Sequence, residues 1–572
     1  MIKRLINSQA KSITSAAIII GALSLVSRLL GIFRDRVLAS QFGAGDILDA
    51  YYAAFRLPDL VYNLLILGAI SAGVIPVFAA LLDKKFGGLP AQAGQKEAWY
   101  LINSILNIAF IAVVVVCGVL FIIAPYLMPL ITPGFSDEKM VVVVKLSRIM
   151  FLSPIFLGIS AILSSILQSY KRFFIYSLAP VFYNVGIIIG ALYLVEYFGI
   201  YGLAWGVVLG SLMHLLVQLP ATFFTGYRYK LVFGFKDKNV RRVGKLMIPR
   251  TLTLTINQIN FLITTIFAST LMVGSLAIYN LANNLQSFPL GIFGVSFAVA
   301  ALPILSGLAA SRKMDDFVST ISTTFRQILF FTVPISILLY VLRAQIVRVI
   351  LGSGQFSWID TRLTTAVLAI FALSLFAQGA LPLIIRGFYA LHNTKTPFFI
   401  GLIDLVINLG SLFFFAWVFS FDNWFSFFVV AILKVPDLWH ATDLRILSMP
   451  LAISVSATIN LFILMLALRQ KIGRLDGRKI LKASWRIIFA ALGAGLFTYA
   501  TLQLINIFVI TETFLGIFFQ GLMAGVVGLL GYGFLGYLLN MEEMSIFISS
   551  MQRKLFRNVQ VIEDTSQEGT GF

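Results

Sequence analysis

Of the arginines in or beside the first two apolar segments of this 572-residue chain, three are candidate anion ligands. Arg28 lies well inside the first apolar run, Arg34 follows it, and Arg56 lies in the next segment, after DAYYAAF. An arginine at the centre of a membrane helix costs on the order of 3 kcal/mol, so its guanidinium must face a cavity or a carboxylate. Because a guanidinium holds phosphate oxygens through two parallel charge-assisted hydrogen bonds, these residues indicate a site for an anionic headgroup.

Three aspartates near these arginines are candidate partners. Asp35 follows Arg28 by seven residues, almost two helical turns, which places both on one face of a continuing helix. Asp49 and Asp59 flank Arg56. We therefore expect one polar cluster of arginines and aspartates at one end of a cavity.

The alternative is that these charges have structural roles. Arg34 and Arg36 are then ordinary anchors at a basic membrane face, and Arg28 reaches the interface along its own stem or pairs structurally. We favour the headgroup site for Arg28 and Asp49 and the anchor for Arg36, and Arg34 stays open between the two.

Amides and hydroxyls are unusually frequent in the seventh and eighth apolar segments. Asn257, Asn260 and Thr264 recur at intervals of three and four residues, so they share one helical face. Asn284 lies in YNLANNLQSFP of the next segment. The polar stripe could line a substrate path or make hydrogen bonds between helices, as amides do in any membrane bundle.

Asp404 is the most deeply placed acid of the second half, and Asn408 follows it by one helical turn. A carboxylate beside an amide can bind a proton or a sodium ion and couple transport to a gradient. The simpler account is a salt bridge from Asp404 to Arg386 or Lys395.

Signatures of enzymes are missing. The sequence has no GxxxxGK[ST] loop, its three histidines are scattered, and its single cysteine, Cys117, lies in an apolar run. We therefore expect no catalytic residues, no cofactor and no metal centre, which argues against an ATP-driven pump or an intramembrane metalloprotease.

The elements that carry these residues are predicted to be membrane helices. Hydrophobic residues make up 59% of the chain and charged residues 12%, and the mean hydropathy is +0.94. Only helices and closed barrels satisfy the backbone in lipid, and the apolar runs here are continuous rather than alternating. The net charge of +19 lies largely in short loops, which indicates a membrane orientation and no nucleic-acid partner.

Stretches of roughly 20 apolar residues predict fourteen spans. Their ranges are 13–33, 59–82, 98–127, 140–167, 174–195, 201–225, 246–270, 275–306, 323–350, 363–390, 396–419, 446–468, 484–506 and 514–540. The loops 228–245 and 469–486 each contain seven Lys or Arg against one Asp, and both fall on the predicted inner side. We therefore expect an all-α polytopic protein with both termini in the cytoplasm.

The predicted domain organisation has two related lobes. The segments 166–188 and 384–409 share an apolar helix end, a turn with basic and aromatic residues, a proline and a second apolar helix, as in the repeated halves of many transporters. The connection 420–445 is predicted to form an outer interfacial helix anchored by Trp424 and Trp439. The predicted ranges are 1–225 for the first lobe, 226–245 for a basic linker, 246–419 for the second lobe, 420–445 for the interfacial segment, 446–540 for the last three spans and 541–572 for a cytoplasmic tail with a disordered tip.

Several motifs together resemble the MurJ (MviN) family of bacterial lipid II flippases, within the multidrug/oligosaccharidyl-lipid/polysaccharide exporter superfamily. They are SRLLGIFRD, FGAGDILDAYYAAFRLPDL, GAISAGVIPVFAALL, LQSYKRFFIYSLAPVFYN and NLQSFPLGIFGVSFAVAALPILS, and the resemblance runs from about residue 12 to 410. It implies two lobes around a cationic cavity that opens to each side in turn and carries an undecaprenyl-pyrophosphate disaccharide-peptide outward. It also implies a bacterial cytoplasmic membrane protein with lipid neighbours and partners among cell-wall synthesis proteins.

The resemblance implies roles for individual residues. Arg28 and Arg34 match arginines that the family needs, Asp49 matches its acidic partner, and Arg56 matches a basic residue of the same motif. The family usually has charged residues where this chain has the neutral set Tyr62, Asn63, Thr264 and Asn284.

These observations predict a flippase in which three arginines hold pyrophosphate while two aspartates tether them between cycles. The arginines are Arg28, Arg34 and Arg56, and the aspartates are Asp49 and Asp59. Two alternatives stay open: an exporter of other lipid-linked oligosaccharides or of multidrug-type cations, and a non-transporting scaffold of an envelope-synthesis complex.

Overall fold

The protein is all-helical throughout the part of the chain that the structure describes. This computed structural model describes residues 13–67, 73–82, 91–434, 442–508 and 513–556. Regular elements in these ranges are α-helices, short π-helical segments and one 3-10 turn. Continuous apolar runs therefore fold as helices, because a helix satisfies its backbone hydrogen bonds without a neighbouring strand.

The helices of the first half alternate long segments with short ones. Their bounds are Ile13–Phe42, Asp46–Ala54, Arg56–Val61, Tyr62–Leu67 (π), Ile75–Leu82, Ala91–Ile131, Asp137–Met150, Leu152–Ser169, Phe173–Ile189, Gly190–Leu194 (π), Val195–Phe198, Tyr201–Leu216, Leu219–Phe223 and Lys238–Ser269. The remaining helices are Ser275–Pro289, Leu290–Val295 (π), Ser296–Ala310, Met314–Val341, Arg343–Ile350, Trp358–Leu373, Leu375–Ala390, Lys395–Val418, Trp424–Leu433, Leu444–Leu447 (3-10), Ser448–Ile472, Gly477–Phe508, Phe514–Leu538 and Glu542–Phe556.

The chain is a multi-pass membrane protein. Ten helices of the described ranges are long and apolar enough to cross a membrane, or eleven if Trp358–Leu373 and Leu375–Ala390, which bend by 45°, form one span. These coincide with eleven of the predicted spans. Three predicted spans remain: 13–33, 59–82 and 246–270. Each includes residues that the structure does not fully describe, so the count of fourteen stays a prediction.

The predicted basic linker is shorter in the structure than in the sequence-based interpretation. Lys238–Ser269 is one helix, so it begins eight residues before the predicted span at 246. Asp237 caps it, since its side chain accepts hydrogen bonds from the backbone amides of Asn239 and Val240 at 2.8 and 3.0 Å. Hydropathy alone missed this start because the first turns of the helix are basic rather than apolar.

Two other predicted segments, the interfacial connection and the tail, also contain a helix. Within the predicted interfacial connection, Trp424–Leu433 is a helix capped by Asn423, and the predicted anchor Trp439 lies outside the described residues. The predicted tail begins with the amphipathic helix Glu542–Phe556, while its tip is outside the description.

The described helices form two compact units. The first comprises Met1–Leu285, Ile350–Val367 and Leu409–Met449, and the second comprises Gln286–Val349, Leu368–Asn408 and Pro450–Phe572. In the first unit, Gly186 and Gly190 lie so close to Gly206 and Gly210 that a Cβ on either would overlap backbone atoms. Such small-residue contacts bring membrane helices together closely, and here they fix the helix that carries Asn184.

The second unit contains a buried ion pair. Arg326 is an interior residue of Met314–Val341, 5% exposed, and its guanidinium donates to both Glu542 and Glu543. The pair holds the last helix against the unit, beside Phe330 and Tyr532.

Candidate anion-binding site

The polar residues of the first unit gather around the end of its first helix. Asp35 is only 4% exposed, and one of its oxygens accepts hydrogen bonds from Arg34 Nε and Nη2 at 3.0 and 2.7 Å. Its other oxygen accepts from Asn284 Nδ2 at 2.9 Å. Arg34 Nη1 also donates to Asn184 Oδ1 at 3.1 Å. The predicted site residues Arg34 and Asn284 therefore meet at one carboxylate.

Asn284 stands where the resemblance leads one to expect an arginine. Its amide is a neutral donor, so Arg34 supplies the positive charge of the ion pair with Asp35. A neutral donor satisfies the second carboxylate oxygen without adding a charge to the cluster.

Arg56 is held by neutral oxygen atoms from two other helices. Its Nε donates to Thr265 Oγ1 at 2.6 Å and its Nη2 to Asn280 Oδ1 at 3.0 Å. The guanidinium also lies 5.6 Å from the ring centre of Phe261. Asp59 attracts Arg56 electrostatically, but the two form no ion pair in the described structure. Arg56 therefore has a fixed direction and no directly bonded carboxylate.

Asp49 is buried at 2% exposure, and its main partner is a lysine. Lys139 Nζ lies 3.0 Å from Asp49 Oδ2 and 2.8 Å from Asp46 Oδ1. The backbone amides of Gly274 and Ala277 donate to the same carboxylate at 2.8 and 2.9 Å, at the start of Ser275–Pro289. A helix start favours an anion, so this carboxylate is stabilised from both sides.

This arrangement corrects the predicted tether. Asp49 was expected to hold an arginine, whereas the structure gives it Lys139 and a helix start. The interaction of Asp59 with Arg56 is electrostatic rather than a direct hydrogen bond. The aspartates thus organise the helices of the site more directly than they restrain its arginines.

The remaining predicted members differ in their surroundings. Arg28 is half-buried on the first helix, one residue after Ser27, whose backbone carbonyl accepts from Asn184 Nδ2 at 3.2 Å. Asn257 is exposed on Lys238–Ser269. Of its stripe, Thr264 is buried and donates to the backbone of Asn260, so that hydroxyl serves its own helix.

Two members of the cluster were not predicted as site residues. Asn184 joins Arg34 to the first helix, and Lys139 neutralises Asp49. A sequence signal existed for Lys139, because it lies in a predicted outer connection, where basic residues are rare. No comparable signal singled out Asn184, which is one amide among many.

The proposed coupling residues lie in the second unit. Asp404 is half-buried and contacts Ser456 and Asn460, and Asn408 Nδ2 donates to Ser456 Oγ at 3.2 Å. Arg386 Nη1 donates to the backbone carbonyl of Val295 at 3.1 Å, and the contacts of Asp404 with Ser456 and Asn460 favour the ion site over the salt bridge. Asp404 Oδ1 and Asn460 Oδ1 are buried oxygens without a hydrogen-bond partner among the described residues.

The first-unit cluster can bind an anion through fixed guanidinium groups. Hydrogen bonds to neutral side chains fix the direction of Arg56, and Asp35 and Asn184 fix that of Arg34. A guanidinium that is already oriented loses less conformational entropy when it binds a phosphate. We therefore identify the cluster as a candidate site for a phosphate-bearing group.

Comparison with known proteins identifies the family of this chain. The family model described as "Lipid II flippase MurJ" matches residues 38–519. A probable lipid II flippase MurJ of Buchnera aphidicola subsp. Schizaphis graminum is 30% identical over 73% of this chain and 82% of its own length. The corresponding protein of Vibrio cholerae is 30% identical over 72% of this chain and 79% of its own length.

Solved structures show the same fold. A lipid II flippase MurJ in an inward closed conformation matches with a TM-score of 0.68 and 24% identity, over 94% of this chain and 100% of that chain. An inward-facing multidrug resistance MATE transporter of the MOP superfamily matches with a TM-score of 0.61 and 12% identity, over 81% of this chain and 99% of that chain. The extent of the family match decides the assignment: this chain belongs to the lipid II flippase MurJ family.

Proposed function

We propose that this chain carries lipid II, the polyprenyl-pyrophosphate-linked peptidoglycan precursor, from the cytoplasmic to the outer leaflet by alternating access. Membership in the MurJ family and the names of its relatives support this cargo. The proposal places the protein in the bacterial cytoplasmic membrane, as a transporter without a catalytic residue or cofactor of its own.

The observation that carries the proposal is the environment of Arg56. Its guanidinium is fixed by Thr265 and Asn280 and has no directly bonded carboxylate. A cation in a membrane protein is costly unless it has a function or a partner, and a pyrophosphate supplies a partner only when cargo is bound. Arg56 is thus the first of the three proposed pyrophosphate ligands.

Arg34 and Arg28 complete the proposed cationic set. Arg34 forms an ion pair with Asp35, so it binds phosphate only by sharing or exchanging that partner. Arg28 lies farther back on the first helix, half-buried. We propose that cargo draws these guanidinium groups together while Asp59 restrains Arg56 in the empty state.

Asp49 has a separate proposed role as a connector. It joins Asp46–Ala54 to Asp137–Met150 through Lys139, and to the start of Ser275–Pro289 through two backbone amides. These contacts lie within one unit and give the cargo site a fixed frame. Asn257 and Asn284 are proposed to border the cargo path.

The full architecture is part of the proposal. We propose fourteen spans in two pseudo-symmetric lobes around a central cavity, with both termini in the cytoplasm. The basic loops on one predicted side and the two related solved folds support it.

We further propose that Asp404, Asn408 and their neighbours bind the coupling ion. The two unpartnered oxygens of Asp404 and Asn460 are suited to a hard cation or a proton. Replacing Asp404 with Asn should abolish the dependence of transport on an imposed ion gradient but leave cargo binding intact. Unchanged gradient dependence would remove these residues from the coupling mechanism.

Complementation separates transport from the scaffold alternative. In a strain depleted of its own lipid II flippase, the wild-type chain should restore growth, and Arg28→Ala or Asp49→Ala should not when present at equal levels in the membrane. Failure of a well-expressed wild-type chain would favour a scaffold or a different lipid-linked cargo. Mass spectrometry of copurified lipid then identifies which cargo the chain binds.

A further inference from the structure

A second candidate site lies on the surface of the first unit, apart from the arginine cluster. It is a groove of about 690 Å³. Its walls come from the helices Ala91–Ile131, Asp137–Met150, Leu152–Ser169 and Tyr201–Leu216 and from the end of the short helix Val195–Phe198. A groove of this volume is within the range of small-molecule and lipid sites.

The walls of the groove are apolar and partly exposed. Val114, Phe121, Leu152 and Trp205 line it, and each is between 38% and 46% exposed. Gly118 also lines it, and a Cβ built on that residue meets no atom within 4 Å. The groove thus has space beside Gly118 for a hydrocarbon chain.

Two cationic side chains line this apolar groove. Lys145 and Arg148 lie three residues apart on Asp137–Met150, so both point toward one face of the helix. Aromatic rings orient them: Lys145 Nζ lies 5.7 Å from the ring centre of Tyr201, and Arg148 Cζ lies 4.9 Å from that of Phe121. Arg148 Nε also donates to the backbone carbonyl of Phe121 at 3.0 Å.

No acid balances these two charges inside the groove. Its lining contains no Asp or Glu, and neither cation forms an ion pair within the described residues. In the first site, by contrast, Asp35 pairs with Arg34 and Asp49 pairs with Lys139. Two uncompensated cations above an apolar groove match the chemistry of a lipid with an anionic headgroup.

We propose that this groove binds an anionic phospholipid of the phosphatidylglycerol class. Lys145 and Arg148 contact the phosphate, and one acyl chain lies along Val114, Gly118 and Phe121. The predicted topology places the start of Asp137–Met150 at the outer face, and Tyr201 and Trp205 suit headgroup depth, so the lipid belongs to the outer leaflet.

The helix that carries the groove cations also contacts residues that frame the cargo site. Asp137–Met150 carries the groove cations on one side and, on another, Lys139, which pairs with Asp49. Ser147 of the same helix donates to the backbone carbonyl of Ala54 at 3.1 Å. A lipid that holds this helix in place should therefore also stabilise the frame of the cargo site.

The test compares lipids retained by the purified full chain. Protein reconstituted in equal amounts of dioleoyl phosphatidylglycerol and dioleoyl phosphatidylcholine is extracted, and native mass spectrometry measures the ratio of the two retained lipids. Wild-type protein should retain phosphatidylglycerol preferentially. The double variant Lys145→Gln with Arg148→Gln should lower the ratio by roughly fivefold for each cation removed.

Two further variants make the test specific. Arg241→Gln with Arg242→Gln removes the same charge from exposed residues elsewhere and should leave the ratio unchanged. Gly118→Leu fills the chain-binding space without changing a charge and should lower retention of phosphatidylglycerol, with a thermal melt to verify folding. Because lipid retention is measured without transport, the result is independent of the proposed flippase activity.

Three outcomes would overturn the proposal. Wild-type protein could retain both lipids equally, or the Lys145 and Arg148 variant could keep the wild-type ratio. In the third outcome, a polyprenyl pyrophosphate binds in a manner sensitive to Lys145 and Arg148 while phosphatidylglycerol does not. That result would make the groove a second cargo site instead.

Discussion

At the scale of single residues, the charged side chains of the first unit differ in their partners: the buried aspartates have cationic partners, whereas one arginine has neutral partners only. Asp35 is satisfied by Arg34 and Asn284, and Asp49 by Lys139 and two backbone amides. Arg56 has only neutral hydrogen-bond partners. Arg56 is therefore the cation suited to bind cargo, and the ion pairs of Asp35 and Asp49 hold the helices around it.

The pairing of Lys139 with Asp49 gives a stability prediction. Both side chains are buried, at 9% and 3% exposure, so Lys139→Met leaves a buried carboxylate without its cation. Removing one partner of such a pair costs about 3–5 kcal/mol. Unfolding in detergent should show that loss, and adding Asp49→Asn should recover much of it.

A matched control breaks an exposed ion pair. Arg474 and Asp315 are 66% and 87% exposed, so Arg474→Met should change unfolding very little. An equal loss in both single variants would mean that burial does not make the Lys139 pair special.

The sequence predicted the types of these residues better than their partners. Arg28, Asp35 and Asp49 stand out because charge is rare within apolar runs. Several of their partners depend on helix contacts across 90 or more positions of the chain, such as Lys139 with Asp49 and Asn284 with Asp35. Periodicity within one helix carries no information about such contacts.

At the scale of elements, the turn before Ser275–Pro289 has a strict backbone requirement. Gly274 has a φ of +89°, and a Cβ there would collide with the backbone oxygen of Ala44. Its amide donates to Asp49 at 2.8 Å. The turn therefore needs glycine for two reasons: the positive φ, and the close approach of the backbone to Ala44, which positions the Gly274 amide to donate to Asp49.

Gly274→Ala should destabilise the protein more than a comparable substitution in an open turn. Gly226 has a φ of +88° and nothing within 4 Å of a built Cβ, so Gly226→Ala carries only the cost of the backbone conformation. That cost is about 1–2 kcal/mol. Thermal unfolding of the two variants should show a clearly larger loss for Gly274→Ala, and equal losses would contradict the close approach.

The last helix, Glu542–Phe556, should loosen in acid. The hydrogen bond from Arg326 lowers the pKa of Glu542 below its ordinary value of 4.5. A lowered pKa means that Glu542 contributes to docking above about pH 4.5, and the contribution is lost as the pH falls through the lower folded-state value. Hydrogen exchange of this helix should therefore rise relative to the rest of the chain.

Glu542→Gln is the control for that prediction. It removes the titrating group but keeps the shape, so its relative exchange should depend less on pH in this range. Equal acid loosening in wild type and variant would assign the effect to another group. The effect should be modest, because the Glu542 side chain is 65% exposed.

Element boundaries were predictable where hydropathy decides them. The long apolar spans were found, but the start at Lys238 and the final helix at Glu542 were not. Both helices begin with charged residues. The Asp237 cap stabilises the first helix, and the buried ion pair with Arg326 stabilises the second. Buried charge at Arg326 likewise needs a partner more than 200 positions away.

At the scale of the whole molecule, composition and loop charge were sufficient to predict a multi-pass helical protein. The motifs added the family, and the family model confirms it over residues 38–519. The grouping of helices into two compact units was less accessible, because each unit combines distant parts of the chain. Periodicity reports which face of a helix is buried, not which helix covers it.

The central claim is that this chain transports lipid II and that Arg56 takes part. The most direct measurement reconstitutes the chain in vesicles with labelled lipid II and follows the transfer of label between leaflets. We expect the wild-type chain to accelerate transfer, Arg56→Ala to reduce it by tenfold or more because a charge-assisted phosphate contact is lost, and the anchor variant Arg36→Ala to retain it. Transfer by the wild-type chain no faster than in empty vesicles would contradict the function, and full activity of Arg56→Ala would contradict the site.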